Sequence, residues 1–173
     1  MNVDWQRAEE FFLEAAGACW PSGRVPKQPP SPLLLGAKVY LYPLEGPTED
    51  GLRYADCFWV GTGDSLGVSF GFTLISKNDV PIWRMQYEGF YPEGVGDFVK
   101  KALREEYEVR QEFRAGRGPI RFIEGEFLYE NLPRRSKFLK FYTREKVLPN
   151  PTLIPSSYRR ELGHHVAQGG ALV

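Results

Sequence analysis

Residues 76–91 read SKNDVPIWRMQYEGFY, and their reading decides the fold. Asn78 and Asp79 suit a tight turn, because their short polar side chains bond to nearby backbone. After the turn, Trp83, Met85 and Tyr87 fall on alternate positions, with Arg84, Gln86 and Glu88 between them. A period of two is that of a strand, so this segment runs as a strand to Gly89 and folds back along what precedes it. Its apolar row is too large to be left in water. It either fills a core or walls a pocket, since Trp and Tyr each carry a polar atom that wants a partner.

Working outwards, AKVYLYPL (37–44) alternates in the same way. LRYADCFWVG (52–61) and GVSFGFTLIS (67–76) are rich in aromatic and β-branched residues. Strands this closely spaced pair antiparallel. Upstream, Asp4 is placed to cap a helix from Trp5 to Gly17, with Trp5, Ala8, Phe12 and Ala15 or Ala16 on one side. Residues 21–32 carry five of the fourteen prolines and form a loop or arm. Downstream, Asp97 is expected to cap a second helix from Phe98 to Phe113, its buried stripe marked by Val99, Ala102, Leu103 and Tyr107. Gly116, Gly118 and Pro119 break it. IRFIEGEFLYENL (120–132) and SKFLKFYTREKVL (136–148) are read as strands, and TLIPSSYRREL (152–162) as a weaker one interrupted by proline. The tail from Gly163 shows no convincing period.

The expectation is a single α+β domain, with a mainly antiparallel sheet from two similar strand groups. An N-terminal helix (4–17) and a central helix (97–113) pack on it. An arm at 21–32 precedes the first group (33–91), and the tail (163–173) follows the second (119–162). Tyr54 and Asp56 in the first group match Tyr129 and Asn131 in the second, each pair ahead of an aromatic-rich strand. That hints at duplication of one unit.

The chain has 173 residues, enough for one domain with a real core. Twenty-two basic residues balance twenty-two acidic ones, so no global field draws it to nucleic acid or to an anionic membrane. Cys19 and Cys57 each adjoin an aromatic residue and fit buried thiols better than a secreted disulfide. Neither a signal peptide nor an apolar span is expected, and the plain reading is cytoplasmic.

Histidine is the usual general base near neutral pH, yet both histidines, His164 and His165, sit together in the tail. Serine-hydrolase and zinc-protease motifs are missing, and neither a metal nor another cofactor is called for. GTGDSLG (61–67) leads into a strand and lacks the lysine of a phosphate loop, so it is a connection between strands. Carboxylates remain. Asp56 interrupts an apolar strand and must face water, a cavity or an arginine, Arg53 or Arg84. With Glu88 or Glu126 it is a weak candidate for an acid and base pair in a hydrolase-like site. Glu124 lies nearby in sequence. Residues 134–146 interleave Arg134, Arg135, Lys137, Lys140, Arg144 and Lys146 with Phe138, Phe141 and Tyr142, as a binder of single-stranded nucleic acid would. A solvated sheet edge is the preferred reading. Alternation within one strand would put Phe138 and Tyr142 on one face, Leu139 and Phe141 on the other.

The segments FFLEAA (11–16), LRYADCFWVG, DVPIWRMQYEGFY (79–91), FVKKALRE (98–105), RGP (117–119) and FIEGEFLYEN (122–131) together resemble the bacterial family known as domain of unknown function 5680. The resemblance spans roughly residues 11–131 and implies an α+β domain without established activity, sometimes attached to helix-turn-helix regulators. A recognisable helix-turn-helix is missing here, which argues against a role in transcription. The expected function is binding of a small molecule or protein partner in an aromatic concavity of the sheet. Tyr54, Asp56, Trp59, Phe72, Trp83, Arg84, Met85 and Tyr87 are its candidate residues. Pairing with a second copy stays open.

Overall fold

A computed structural model describes residues 2–154 and 160–173. Asp4 caps the first helix, α1 (Trp5–Ala18), its carboxylate accepting from Arg7 N at 3.0 Å. Four strands follow, β1 (Lys38–Tyr42), β2 (Leu52–Val60), β3 (Val68–Lys77) and β4 (Val80–Phe90). The β3–β4 turn holds Asn78 and Asp79 at φ 51° and 64°, the left-handed backbone their side chains tolerate. Helix α2 (Val95–Arg104) starts at Gly94, φ 83°, and continues as a π-helical segment, Glu105–Arg110, that ends on left-handed Gln111. Asp97 is therefore not the expected cap. It lies in the first turn, bonded to Lys100.

The second group is β5 (Arg121–Glu124), β6 (Phe127–Lys137), β7 (Lys140–Pro149) and β8 (Gly163–Ala171). IRFIEGEFLYENL is thus a hairpin turning at Gly125, and 136–148 turns at Phe138 and Leu139. That turn resets the alternation: Phe138 and Phe141 both enter the core, and Tyr142 takes the opposite face. Of the weaker candidate strand at 152–162, residues 155–159 lie outside the described residues, and the described remainder is not strand.

All described strands join one antiparallel sheet in the order β1-β2-β3-β4-β8-β7-β6-β5. Each half is a helix followed by a four-strand meander, and the halves meet last strand to last strand, β4 on β8. The supposed tail is therefore a central strand. Its alternation is carried by small residues, because a Cβ at Gly169 would overlap the Arg84 carbonyl. His165 and Ala167 are buried on the same face as Gly169.

Both helices lie on that inner face. Phe11 and Phe12 are wholly buried, and Phe12 sits 5.0 Å from Trp83, whose ring stacks on Phe138 at 4.8 Å. Such burial contributes roughly 1.5–3 kcal/mol per large side chain. Trp83 Nε1 donates to the Phe138 carbonyl at 2.7 Å, so its polar atom is satisfied within the core. Phe98 of α2 packs on Phe127 at 5.2 Å. Among the described residues, no helix is long and apolar enough to cross a membrane.

Candidate functional site

Between the helices and the inner face of β2, β3 and β4 lies a cavity of about 310 Å³. Its wall includes Tyr54, Asp56, Phe58, Thr73, Met85, Tyr87, Tyr91, Tyr107, Arg117 and His165, with Trp20 from the end of α1. Exposed Lys38 and Glu93 stand at its rim.

Asp56 is the most unusual of these groups. Its Oδ1 accepts from Thr73 Oγ1 at 3.0 Å and from the Tyr87 hydroxyl at 2.7 Å. Oδ2 has no protein partner among the described residues, yet it is not sealed off. The residue lines the cavity, so that oxygen faces the space. Burial pushes the carboxyl up to about 6, although the two hydroxyls and the Arg117 guanidinium pull the other way. The Tyr54 hydroxyl, on the same wall, likewise has no protein partner among the described residues.

Small residues build this geometry. Gly71 pairs with Tyr87 across the β3–β4 ladder, and a Cβ there would come within 2.8 Å of the Tyr87 hydroxyl. Only glycine lets that ring cross β3 to reach Asp56 on β2. Gly89 does the same for His165, whose Nε2 contacts Ser69 Oγ at 3.0 Å across β4. The imidazole stacks on Tyr91 at 4.4 Å, and its buried Nδ1 has no partner among the described residues. Burial first, then Arg117, hold His165 down to about 3, so it is neutral at physiological pH.

A second network closes the floor. Arg117 makes two bonds to Glu145, Nε to Oε2 at 3.0 Å and Nη2 to Oε1 at 2.6 Å, and the Tyr91 and Tyr129 hydroxyls donate to the same carboxylate. Burial opposes ionisation of Glu145, but Arg117 outweighs it and holds the carboxyl below its ordinary range. The segment carrying Arg117 turns through left-handed Ala115 and Gly116. It is clamped by the second copy of the duplicated motif. Gly118 N donates to the Tyr129 hydroxyl at 3.0 Å, and Asn131 Nδ2 donates to the carbonyls of Arg114 at 3.0 Å and Gly118 at 2.7 Å.

The structure brings Tyr54, Asp56, Met85 and Tyr87 together on the cavity wall. Trp83 belongs to the sealed core. Trp59, Phe72 and Arg84 are on the opposite face of the sheet, because each stands an odd number of residues from Tyr54, Thr73 or Met85 on its own strand. There Trp59 stacks on Phe70 at 5.2 Å. Glu88 is exposed on that face, while Glu126 sits in the β5–β6 turn and Glu124 bonds Lys101 at the surface. None of the three meets Asp56. The ladder registers put Lys137, Lys140, Arg144 and Lys146 on the solvent face, with Arg135 opposite Tyr142. Arg144 pairs with Glu161, Lys146 with Glu130, and the Arg134 guanidinium lies over Tyr142.

Sequence reasoning missed Arg117, Glu145, His165, Tyr91 and Tyr107. Two signals were present: the glycines facing Tyr87 and His165, and the alternation of His165, Ala167 and Gly169. Among the described residues, no group of three or more His, Cys, Asp or Glu could hold a metal ion. No family model matches the chain, and no match is found among curated proteins or solved structures.

Proposed function

We propose that this protein binds a small organic molecule in the cavity beneath β2, β3 and β4. The observation that carries the reading is Asp56 Oδ2, a buried carboxylate oxygen turned into an aromatic-walled space with no protein donor among the described residues. Leaving such a group unpaired is costly, and a ligand donor relieves that cost. The volume holds about ten waters at roughly 30 Å³ each, enough for one substituted ring. Binding is favoured over hydrolysis because Glu145, the buried acid of the neighbouring network, is fully engaged by Arg117 and two tyrosines. A general acid or base must be free to exchange a proton with the substrate.

Met85 lines the cavity and is one of only two methionines, so its methyl resonance is a clean reporter. Titration with benzyl alcohol should shift that resonance saturably. Ala16→Leu, which adds bulk at the cavity wall, should abolish the shift while leaving the fold intact. An unresponsive methyl across neutral and charged aromatic probes would sink the reading.

A further inference from the structure

We infer that the ligand is a small organic cation, a protonated amine on an aromatic or aliphatic body, seated with its N–H directed at Asp56 Oδ2. This deepens the proposed function and rests on it.

Three observations lead there. The first is charge. Of the buried ionisable groups around the cavity, Arg117 and Glu145 cancel through their two-bond pair. His165 is neutral, and the Lys38 and Glu93 side chains at the rim are exposed and opposite in sign. One negative charge, Asp56, is left without a counter-ion, and a buried charge is stabilised by pairing.

The second is hydrogen-bond polarity. In the duplicated motif, Asn131 stands where Asp56 stands, and it is saturated by backbone: its amide donates to two carbonyls of the 114–118 segment, and its oxygen accepts from Thr143. In the first half no backbone group bonds the Asp56 side chain among the described residues, and the ionised residue is an acceptor only. What pairs with it must therefore donate, the inverse of what the loop offers Asn131.

The third is the wall. Tyr54, Phe58, Tyr87, Tyr91 and Trp20 line the cavity, and aromatic faces attract a cation while covering its apolar body. The Tyr87 ring already has the Arg117 guanidinium 5.6 Å from its centroid.

Other groups that feel Asp56 are Cys19 just after α1, Tyr40 of β1, Tyr54 and Cys57 of β2, Tyr87 of β4, Tyr107 of the π-helical segment and Arg117. The thiols and the phenols are all held above their ordinary range. Of these groups only Arg117 is charged near neutrality, so Asp56 is the member of the set that switches its charge between pH 5 and 7.5; Glu106, which burial pushes up to about 7, titrates in the same window but does not line the cavity. Its titration at about 6 makes cation binding weaken as the pH falls.

The test compares benzylamine with its neutral near-isostere benzyl alcohol on the full chain, followed by calorimetry and by the Met85 methyl resonance. At pH 7.5 benzylamine should bind tighter by on the order of tenfold, the worth of one charge-assisted hydrogen bond. At pH 5 the preference should collapse, and Asp56→Asn should remove it at both pH values. Equal binding of the two probes at pH 7.5, or a preference that persists at pH 5, would overturn the cation assignment and leave the cavity reading standing. Binding of neither would overturn both. Should Asp56→Asn fold poorly, the pH comparison on the unsubstituted protein decides.

Discussion

Replacing Asp56 by asparagine should stabilise the protein at neutral pH and leave it unchanged in acid. The folded state holds the Asp56 carboxyl at about 6, against an ordinary value of 3.8. Below 3.8 both folded and unfolded chains carry the proton, and no stability difference arises. As pH rises from 3.8 to about 6, the unfolded chain releases its proton while the folded chain keeps it, so stability falls; above about 6 the loss is complete. Roughly two units at 1.36 kcal/mol each amount to a loss of about 3 kcal/mol at pH 7. Asparagine keeps an oxygen for Thr73 and Tyr87 and carries no charge, so it escapes that loss. Urea unfolding of both proteins from pH 3.5 to pH 8 measures the effect directly. The difference should grow from near zero at pH 3.5 to about 3 kcal/mol at pH 7, with half of it reached near pH 5. Taking the difference removes His165, which titrates in the same window with the opposite sign. A flat difference across that range, or an asparagine variant less stable at pH 7, would refute the assignment of Asp56 as an unpaired buried charge.

Other perturbations follow from the same geometry. Arg117→Met strands Glu145 with only tyrosine donors and should cost about 3–5 kcal/mol by urea unfolding; Arg117→Met with Glu145→Gln should recover much of it in a double-mutant cycle. His165 refuses a proton until about pH 3 while the unfolded chain accepts one near 6.5, so it favours unfolding as pH drops between those values, and His165→Asn should unfold at lower pH than the parent in an acid titration followed by circular dichroism. Gly71→Ala places a methyl 2.8 Å from the Tyr87 hydroxyl and against the Cys57 carbonyl, which should cost about 1–3 kcal/mol and weaken benzylamine binding together.

The hairpin at 76–91, the helix from Trp5 and the two matched strand groups were legible because period, turn chemistry and capping all agreed there. The facing of Trp59 was misread, since Tyr54 and Trp59 are five apart, and an odd separation on an unbulged strand puts them on opposite faces. β8 was hidden for a physical reason: at the centre of a sheet under crowded rings, Gly163, Gly169 and Gly170 replace the β-branched residues by which strands are usually recognised. Arg117 and Glu145 were out of reach because their meeting depends on left-handed turns at Ala115 and Gly116 and on register across three strands.

The position of β8 has a consequence for how the chain reaches this state. Each half-sheet, β1–β4 and β5–β8, can form from neighbouring segments, but β4 and β8 each keep a bare edge until the two halves join across some seventy positions of chain. Closing so long a loop before its contacts reward it makes assembly slow, and the intermediate that waits presents two hydrogen-bonding edges to other molecules. The cavity inherits this order of events, since His165 of β8 meets Ser69 and Tyr91 of the first half only when the two halves dock.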